Sequence, residues 1–239
     1  MTLLSLHGVS KKFGALPVVD RISLSVESGE TLGVLGPNGA GKTTLFNLIS
    51  GELPVDSGRI LFHGRDVSSE PPHRRCRSGM GRSYQIPRPF GAMTVFENLV
   101  AAASFGAEKR EAESYERVVE ILRETALLAK ANQLAGSLCL LDRKRLELAR
   151  ALATEPKLLL LDEIAGGLTE HEAADLVEEL RRIQAQGMTM IWIEHVVQAL
   201  VAVADRLIVI NFGQQLAEGK PQAVLNDPEV QRVYLGLEA

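Results

Sequence analysis

Gly36-Pro37-Asn38-Gly39-Ala40-Gly41-Lys42-Thr43 restricts the fold of this chain more than any other segment. It fits the pattern GxxxxGK[ST] and follows an apolar run, Thr31 to Leu35, that reads as a strand. Leu45, Phe46, Leu48 and Ile49 read as the buried face of the helix that comes next. Strand, glycine loop and helix in that order make a phosphate cradle. Glycines let the backbone curl so that its N–H groups face phosphate oxygens, and the helix directs its positive dipole end at them. Lys42 then reaches the β- and γ-phosphates, and Thr43 offers a hydroxyl to Mg²⁺. Gly36 to Thr43, with Thr44 beside them, are the expected nucleotide-binding residues. A glycine-rich turn that holds no phosphate is the competing reading, and the complete eight-residue pattern argues against it.

The chain has 239 residues, 46% of them hydrophobic, and only ten prolines. It can bury a substantial core and reads as one globular unit with room for an inserted subdomain. The net charge of −4 argues against nucleic acid as a partner, because such domains carry an excess of Lys and Arg. Arg74, Arg75, Arg77 and Arg82 form a local basic cluster, read first as solvated surface and second as a dock for an acidic partner. Cys76 and Cys139 lie far apart, in no metal-ligand spacing, which suits a reduced cytosolic setting. The first twenty residues lack the apolar core of a secretion signal, and no run of eighteen apolar residues occurs. Any membrane connection is therefore expected to run through another protein.

Alternation of apolar residues at Leu4, Leu6 and Val9, then Ile22, Leu24 and Val26, suits antiparallel strands with one buried face. Ser57-Gly58 and His63-Gly64 frame another short strand, Arg59 to Phe62. From about Ala107 to Lys130 the spacing turns helical, through Val118, Val119, Ile121, Leu122, Ala126 and Leu127. After Pro156 the run Lys157 to Leu161 reads as a buried parallel strand. Thr169-Glu170-His171-Glu172 is a capping box opening a helix with Ala173, Leu176, Val177, Leu180 and Ile183 on one face. Met188 to Ile193 as strand, Val196 to Ala204 as helix and Leu207 to Ile210 as strand complete a layered α/β core. Asp227-Pro228 supplies the cap and first turn of a terminal helix.

Two more chemical signals follow the loop. Leu158-Leu159-Leu160-Leu161 ends in Asp162 and Glu163, so that the first carboxylate suits the metal and the second suits orienting a water for attack on the γ-phosphate. Acidic residues also end surface strands for no chemical reason; the glycine loop tips that balance. His195 follows the apolar strand Ile191-Trp192-Ile193-Glu194, where an imidazole on the ligand edge can bond a γ-phosphate oxygen.

Taken together, these residues resemble the ATP-binding subunits of ABC transporters along essentially the whole chain. The resemblance implies an α/β fold: a P-loop NTPase core with a parallel sheet, an N-terminal antiparallel β subdomain and an inserted α-helical subdomain. It further implies one ABC ATPase domain over 1–239, with the core and β subdomain at about 1–85 and 151–239 and the helical subdomain at about 86–150. Phe13 takes the place of the aromatic that stacks on adenine, and Gln85 that of the glutamine touching Mg²⁺ and the attacking water. Thr43, Gln85 and Asp162 are then the metal residues, while Glu163, His195 and Gln85 are the catalytic ones. Gly167-Leu168-Thr169 resembles the dimer-contacting loop. The cofactors implied are ATP and Mg²⁺. Implied partners are a second ATPase subunit, integral membrane permease subunits and, indirectly, an extracytoplasmic solute-binding protein. The implied location is the cytoplasmic face of the inner membrane. Gln85 to Phe90 leading into Met93 to Leu99, with Asn226 to Val230 and Tyr234-Leu235-Gly236, is similar to branched-chain amino-acid or urea importer ATPases. A catalytically silent nucleotide-binding subunit, and a soluble ABC-type ATPase acting on nucleic acid or ribosomes, are the competing functions.

The chain departs from the family at its signature, usually Leu-Ser-Gly-Gly-Gln. Ungapped spacing puts Leu138-Cys139-Leu140-Leu141-Asp142 there, just before Arg145 to Arg150; a shifted register would put Leu134-Ala135-Gly136-Ser137 there. Cys139 donates more weakly than serine, Leu141 adds bulk where backbone should approach, and Asp142 brings negative charge toward phosphate. Losing a charge-assisted hydrogen bond there costs about 1.5–3 kcal/mol. A heterodimer, in which an unlike subunit donates an intact signature, is therefore favoured over a homodimer. Ile164 also stands where the family has proline.

Overall fold

The computed structural model describes residues 1–235. In chain order come strands β1 (Thr2–Phe13), β2 (Leu16–Glu27) and β3 (Thr31–Leu35), helix α1 (Lys42–Ser50), and strands β4 (Ser57–Phe62) and β5 (Arg65–Asp66). Helix α2 (Pro72–Arg77), strand β6 (Met80–Arg82), helices α3 (Val95–Gly106), α4 (Glu111–Glu124) and α5 (Leu140–Ala153), strand β7 (Leu158–Asp162) and helix α6 (Glu170–Ala185) follow. Strand β8 (Thr189–Ile193), helix α7 (Val197–Val203), strands β9 (Arg206–Asn211) and β10 (Gln214–Gly219), and helices α8 (Pro221–Leu225) and α9 (Pro228–Leu235) end the order. Two compact units result: Met1–Pro72 together with the chain from Thr189 onward, and His73–Met188. The terminal motif's Gly236 lies outside the described residues.

The first unit holds two β layers. β1 pairs antiparallel with β2 and with β4, and β4 with β5. Leu4, Leu6, Val9, Ile22, Leu24 and Val26 are all buried, as their alternation predicts. In the other layer β3 runs parallel between β8 and β9, and β10 closes antiparallel on β9. Every residue of β3 and β8 is buried, which suits strands covered on both faces. The fold is thus α/β with an antiparallel β subdomain.

The second unit is mainly helical, around the parallel pair β6 and β7. α3 packs on both α4 and α5. Leu99, Val118, Ile121, Leu122, Leu146, Leu148 and Leu152 are buried there, with Leu176 and Leu180 of α6. The expected capping box at Thr169 forms: its hydroxyl accepts from Glu172 N, and the Glu172 carboxylate accepts from Thr169 N at 2.9 Å. Asp227 likewise caps α9 through Oδ1, which accepts from Glu229 N at 2.8 Å.

Two expectations need correction. The helix read over Ala107 to Lys130 is shorter, because Glu108 takes a left-handed φ of +56° and Ala126 one of +54°, conformations that no α-helix carries. Leu128–Lys130 is a separate 3₁₀ turn. The basic cluster is only partly solvated: Arg75 is 1% exposed, and Arg82 is buried against a carboxylate.

Candidate active site

In the first unit the glycine loop joins β3 to α1, as its pattern predicts. Gly41, φ +102°, caps α1 with no side-chain bond, and the first turn of α1 carries no acidic residue. An added Cβ at Gly41 would meet the Val18 carbonyl oxygen at 2.3 Å, so the loop is packed as tightly as it is curved. Lys42 is buried, and its Nζ donates to Gly36 O at 2.7 Å and Pro37 O at 3.0 Å. The ammonium is thereby held inside the loop it serves. Thr43 is exposed and Thr44 half-buried on the first turn, while Asn38 and Gly39 lie open to solvent. Together the bare helix start, the unopposed dipole and the Lys42 charge make a site for phosphate.

Phe13 ends β1 opposite Leu16 and is 51% exposed. That exposure keeps the ring out of the core and leaves it able to stack. His195 is exposed after β8, and its N–H donates at 2.9 Å to Oε1 of Glu194, a fully buried carboxylate. Nothing about Glu194 stood out in the sequence, yet it fixes the backbone on which His195 is displayed.

In the second unit Asp162 ends β7, and Arg82 Nη2 lies 3.2 Å from its Oδ2. Ser83, also fully buried, ties β6 to β7 by donating its N–H to Leu160 O at 2.9 Å. The Gln85 amide donates to Oε2 of Glu163, so the structure brings together these two residues, 78 positions apart in sequence. Glu163 sits at φ +48°, a strained conformation for a residue with a side chain, costing about 1–3 kcal/mol. Ile164, in place of proline, is completely buried and acts as core.

Gln85 to Phe90 is anchored on its own unit. Arg88 N donates to Glu147 Oε1 at 2.8 Å, Arg150 Nη1 donates to Arg88 O at 3.0 Å, and the Arg150 guanidinium lies 5.2 Å from the Phe90 ring centre. The Asn98 side chain bonds both Phe90 N and Phe90 O. Asn98 belongs to α3, and the sequence signal that locates this helix is its capping box, Thr94-Val95-Phe96-Glu97.

The divergent signature opens α5, with Cys139 as N-cap. Here the expected geometry is corrected. Leu141 is turned inward and buried, and the apolar bulk at the surface is Leu140, 44% exposed. Asp142 is also buried: it accepts from Lys130 Nζ and from Cys139 Sγ at 3.0 Å, with Arg145 Nη1 3.8 Å from its other oxygen. Burial pushes its carboxyl up, but Lys130, Cys139 and Arg145 outweigh that and hold it below the ordinary value. Its charge is spent inside the unit and is not presented to a phosphate. Gly167, in the loop that resembles a dimer contact, lies beside Leu140.

A family model described as ABC transporter matches residues 19–166, more than half of the chain. The chain belongs to the ABC transporter family. It is an ATP-binding subunit and an ATPase. A second model, described as branched-chain amino acid ATP-binding cassette transporter, matches residues 214–239. Among similar proteins are the high-affinity branched-chain amino acid transport ATP-binding proteins BraF of Pseudomonas aeruginosa, 34% identical, and LivG of Escherichia coli, 35% identical, each with 98% of both chains covered. The lipopolysaccharide export system ATP-binding protein LptB of Haemophilus influenzae is also 34% identical, over 99% of this chain and 98% of that one. An ATP-binding cassette of an ABC transporter in its ADP conformation has the same fold, at a TM-score of 0.90 and 33% identity, over 99% of this chain and 100% of that one. No helix of the described residues is long and apolar enough to cross a membrane.

Proposed function

We propose that this subunit hydrolyses ATP to drive import of branched-chain amino acids through membrane permease subunits, at the cytoplasmic face of the membrane. The match of residues 214–239 to the branched-chain amino acid model carries the choice of solute. Full-length similarity alone does not decide it, since an importer subunit and an exporter subunit are equally identical to the chain.

In this reading the whole chain is one ABC ATPase domain, with its helical subdomain at about 86–150. Gly36 to Thr44 bind the phosphates, Lys42 neutralises the β- and γ-oxygens, and Phe13 stacks on adenine. The Thr43 hydroxyl, the Asp162 carboxylate and the Gln85 amide are hard oxygen donors of the kind Mg²⁺ prefers. When bound, the ion would neutralise charge on the phosphates. Glu163 takes a proton from the attacking water, Gln85 orients that water through its bond to Glu163, and His195 bonds the γ-phosphate. The loop Gln85 to Phe90, fastened to α5 and α3, passes the change to the permease. Because Cys139 and the exposed Leu140 stand where serine and glycine belong, the partner ATPase subunit is an unlike one.

Uptake of labelled leucine by cells lacking this chain tests the reading. Wild-type chain should restore uptake and Lys42→Ala should not; leucine uptake that never depended on the chain would refute the choice of solute.

A further inference from the structure

Lys144 lies on α5, five residues after Cys139, and is 3% exposed. Its Nζ donates to Gln85 O at 2.7 Å and to Glu163 O at 3.1 Å. One side chain thus grips the main chain of the two residues whose side chains bond each other. We propose that Lys144 is a positioning residue for ATP hydrolysis, which holds Gln85 and Glu163 in register and ties both to the helix that begins at the signature. The proposal rests on the hydrolytic roles given to Gln85 and Glu163.

Three observations support it. Glu163 has φ +48°, and a peptide in that conformation keeps it only where surroundings hold it; its carbonyl accepts from Lys144 and from Gly166 N at 3.2 Å. Gln85 lies between the exposed side chains of Tyr84 and Ile86, so its place is set by hydrogen bonds and not by apolar burial. Finally, an ammonium is costly to bury, and Met would fill the same space without that cost. A lysine here is explained by its donors, which reach both carbonyls while its stem packs in the core.

The test uses the transporter complex purified through a tag on this chain, with Lys144→Met, Lys144→Gln and Glu163→Gln compared. Lys144→Met should lower kcat at least tenfold with KM for ATP within twofold of wild type. Lys144→Gln, which keeps an amide donor, should fall between. In ¹⁵N spectra of the isolated full chain, the Gln85 side-chain amide, assigned from its loss in Gln85→Ala, should move toward a free glutamine in the Lys144 variants. A purely structural lysine would change the folded fraction but neither kcat per folded molecule nor this resonance. Unchanged turnover in Glu163→Gln would overturn the role of Glu163 itself. Lost turnover in Glu163→Gln, with wild-type kcat and an unmoved Gln85 resonance in a folded Lys144 variant, would overturn the role of Lys144 alone. Should Lys144→Met fail to fold, Lys144→Gln decides by the same two readouts.

Discussion

The guanidinium of Arg82 stands 3.2 Å from Oδ2 of Asp162, and the two side chains are only 8% and 4% exposed. A charge pair this enclosed is worth little over an apolar pair, but removing one member strands the other in the interior. Arg82→Met should therefore cost about 3 kcal/mol of unfolding free energy in urea. Loss of less than about 0.5 kcal/mol, the level of an exposed pair, would contradict this.

Asp142 should make the chain sensitive to acid. Its folded-state carboxyl titrates below the unfolded value despite burial, because of Lys130, Cys139 and Arg145. The folded state then binds fewer protons, so this contribution is complete above the unfolded value near pH 4 and fades as pH falls through the lower folded value. Asp142→Asn should flatten the loss of stability between about pH 5 and pH 2 relative to wild type, measured by urea unfolding at each pH. Parallel curves would show that the network does not favour the charged form.

Two glycines of the phosphate loop should behave differently. Gly39, φ +79°, has open space around a Cβ, so Gly39→Ala pays only for conformation, about 1–2 kcal/mol. Gly41→Ala pays that and also drives a methyl against the Val18 carbonyl. It should weaken ATP binding at least tenfold more than Gly39→Ala, by titration calorimetry; equal effects would refute the steric account.

The signature predicts an asymmetry. Cys139→Ser with Leu140→Gly restores small, hydrogen-bonding groups at the exposed start of α5. In the Glu163→Gln background, which blocks hydrolysis, the unaltered chain should stay monomeric with Mg-ATP by light scattering. The restored variant should gain ATP-dependent dimer. Dimerisation of the unaltered chain would remove the need for an unlike partner.

These outcomes also mark what was legible in the sequence. The strand, loop and helix around Lys42, the buried run ending at Asp162 and the capping box at Thr169 are local patterns, and each formed as read. The exposure of Phe13 was not legible, because one aromatic in a sequence does not show whether it faces core or solvent. Arg82, read as solvated surface, and Asp142, read as facing phosphate, were misplaced for a related reason: the carboxylate beside Arg82 lies 80 residues away and the nearest cation to Asp142, Lys130, lies 12 residues away, so neither pairing is a local pattern. Lys144 was invisible because main-chain carbonyls of Gln85 and Glu163 have no sequence signature. Leu141 was assigned the wrong face, and Leu140 takes the exposed place, since the helix phase is set only where Cys139 caps it.

The central claim is that this chain carries out hydrolysis with its own carboxylate, Glu163. A single-turnover measurement on the assembled transporter, with Glu163→Gln in this subunit alone, tests it most directly. The account predicts that Mg-ATP binding persists while cleavage slows at least a hundredfold, the scale of general-base loss. Wild-type cleavage in that variant would contradict it and place this subunit among those that bind ATP without using it.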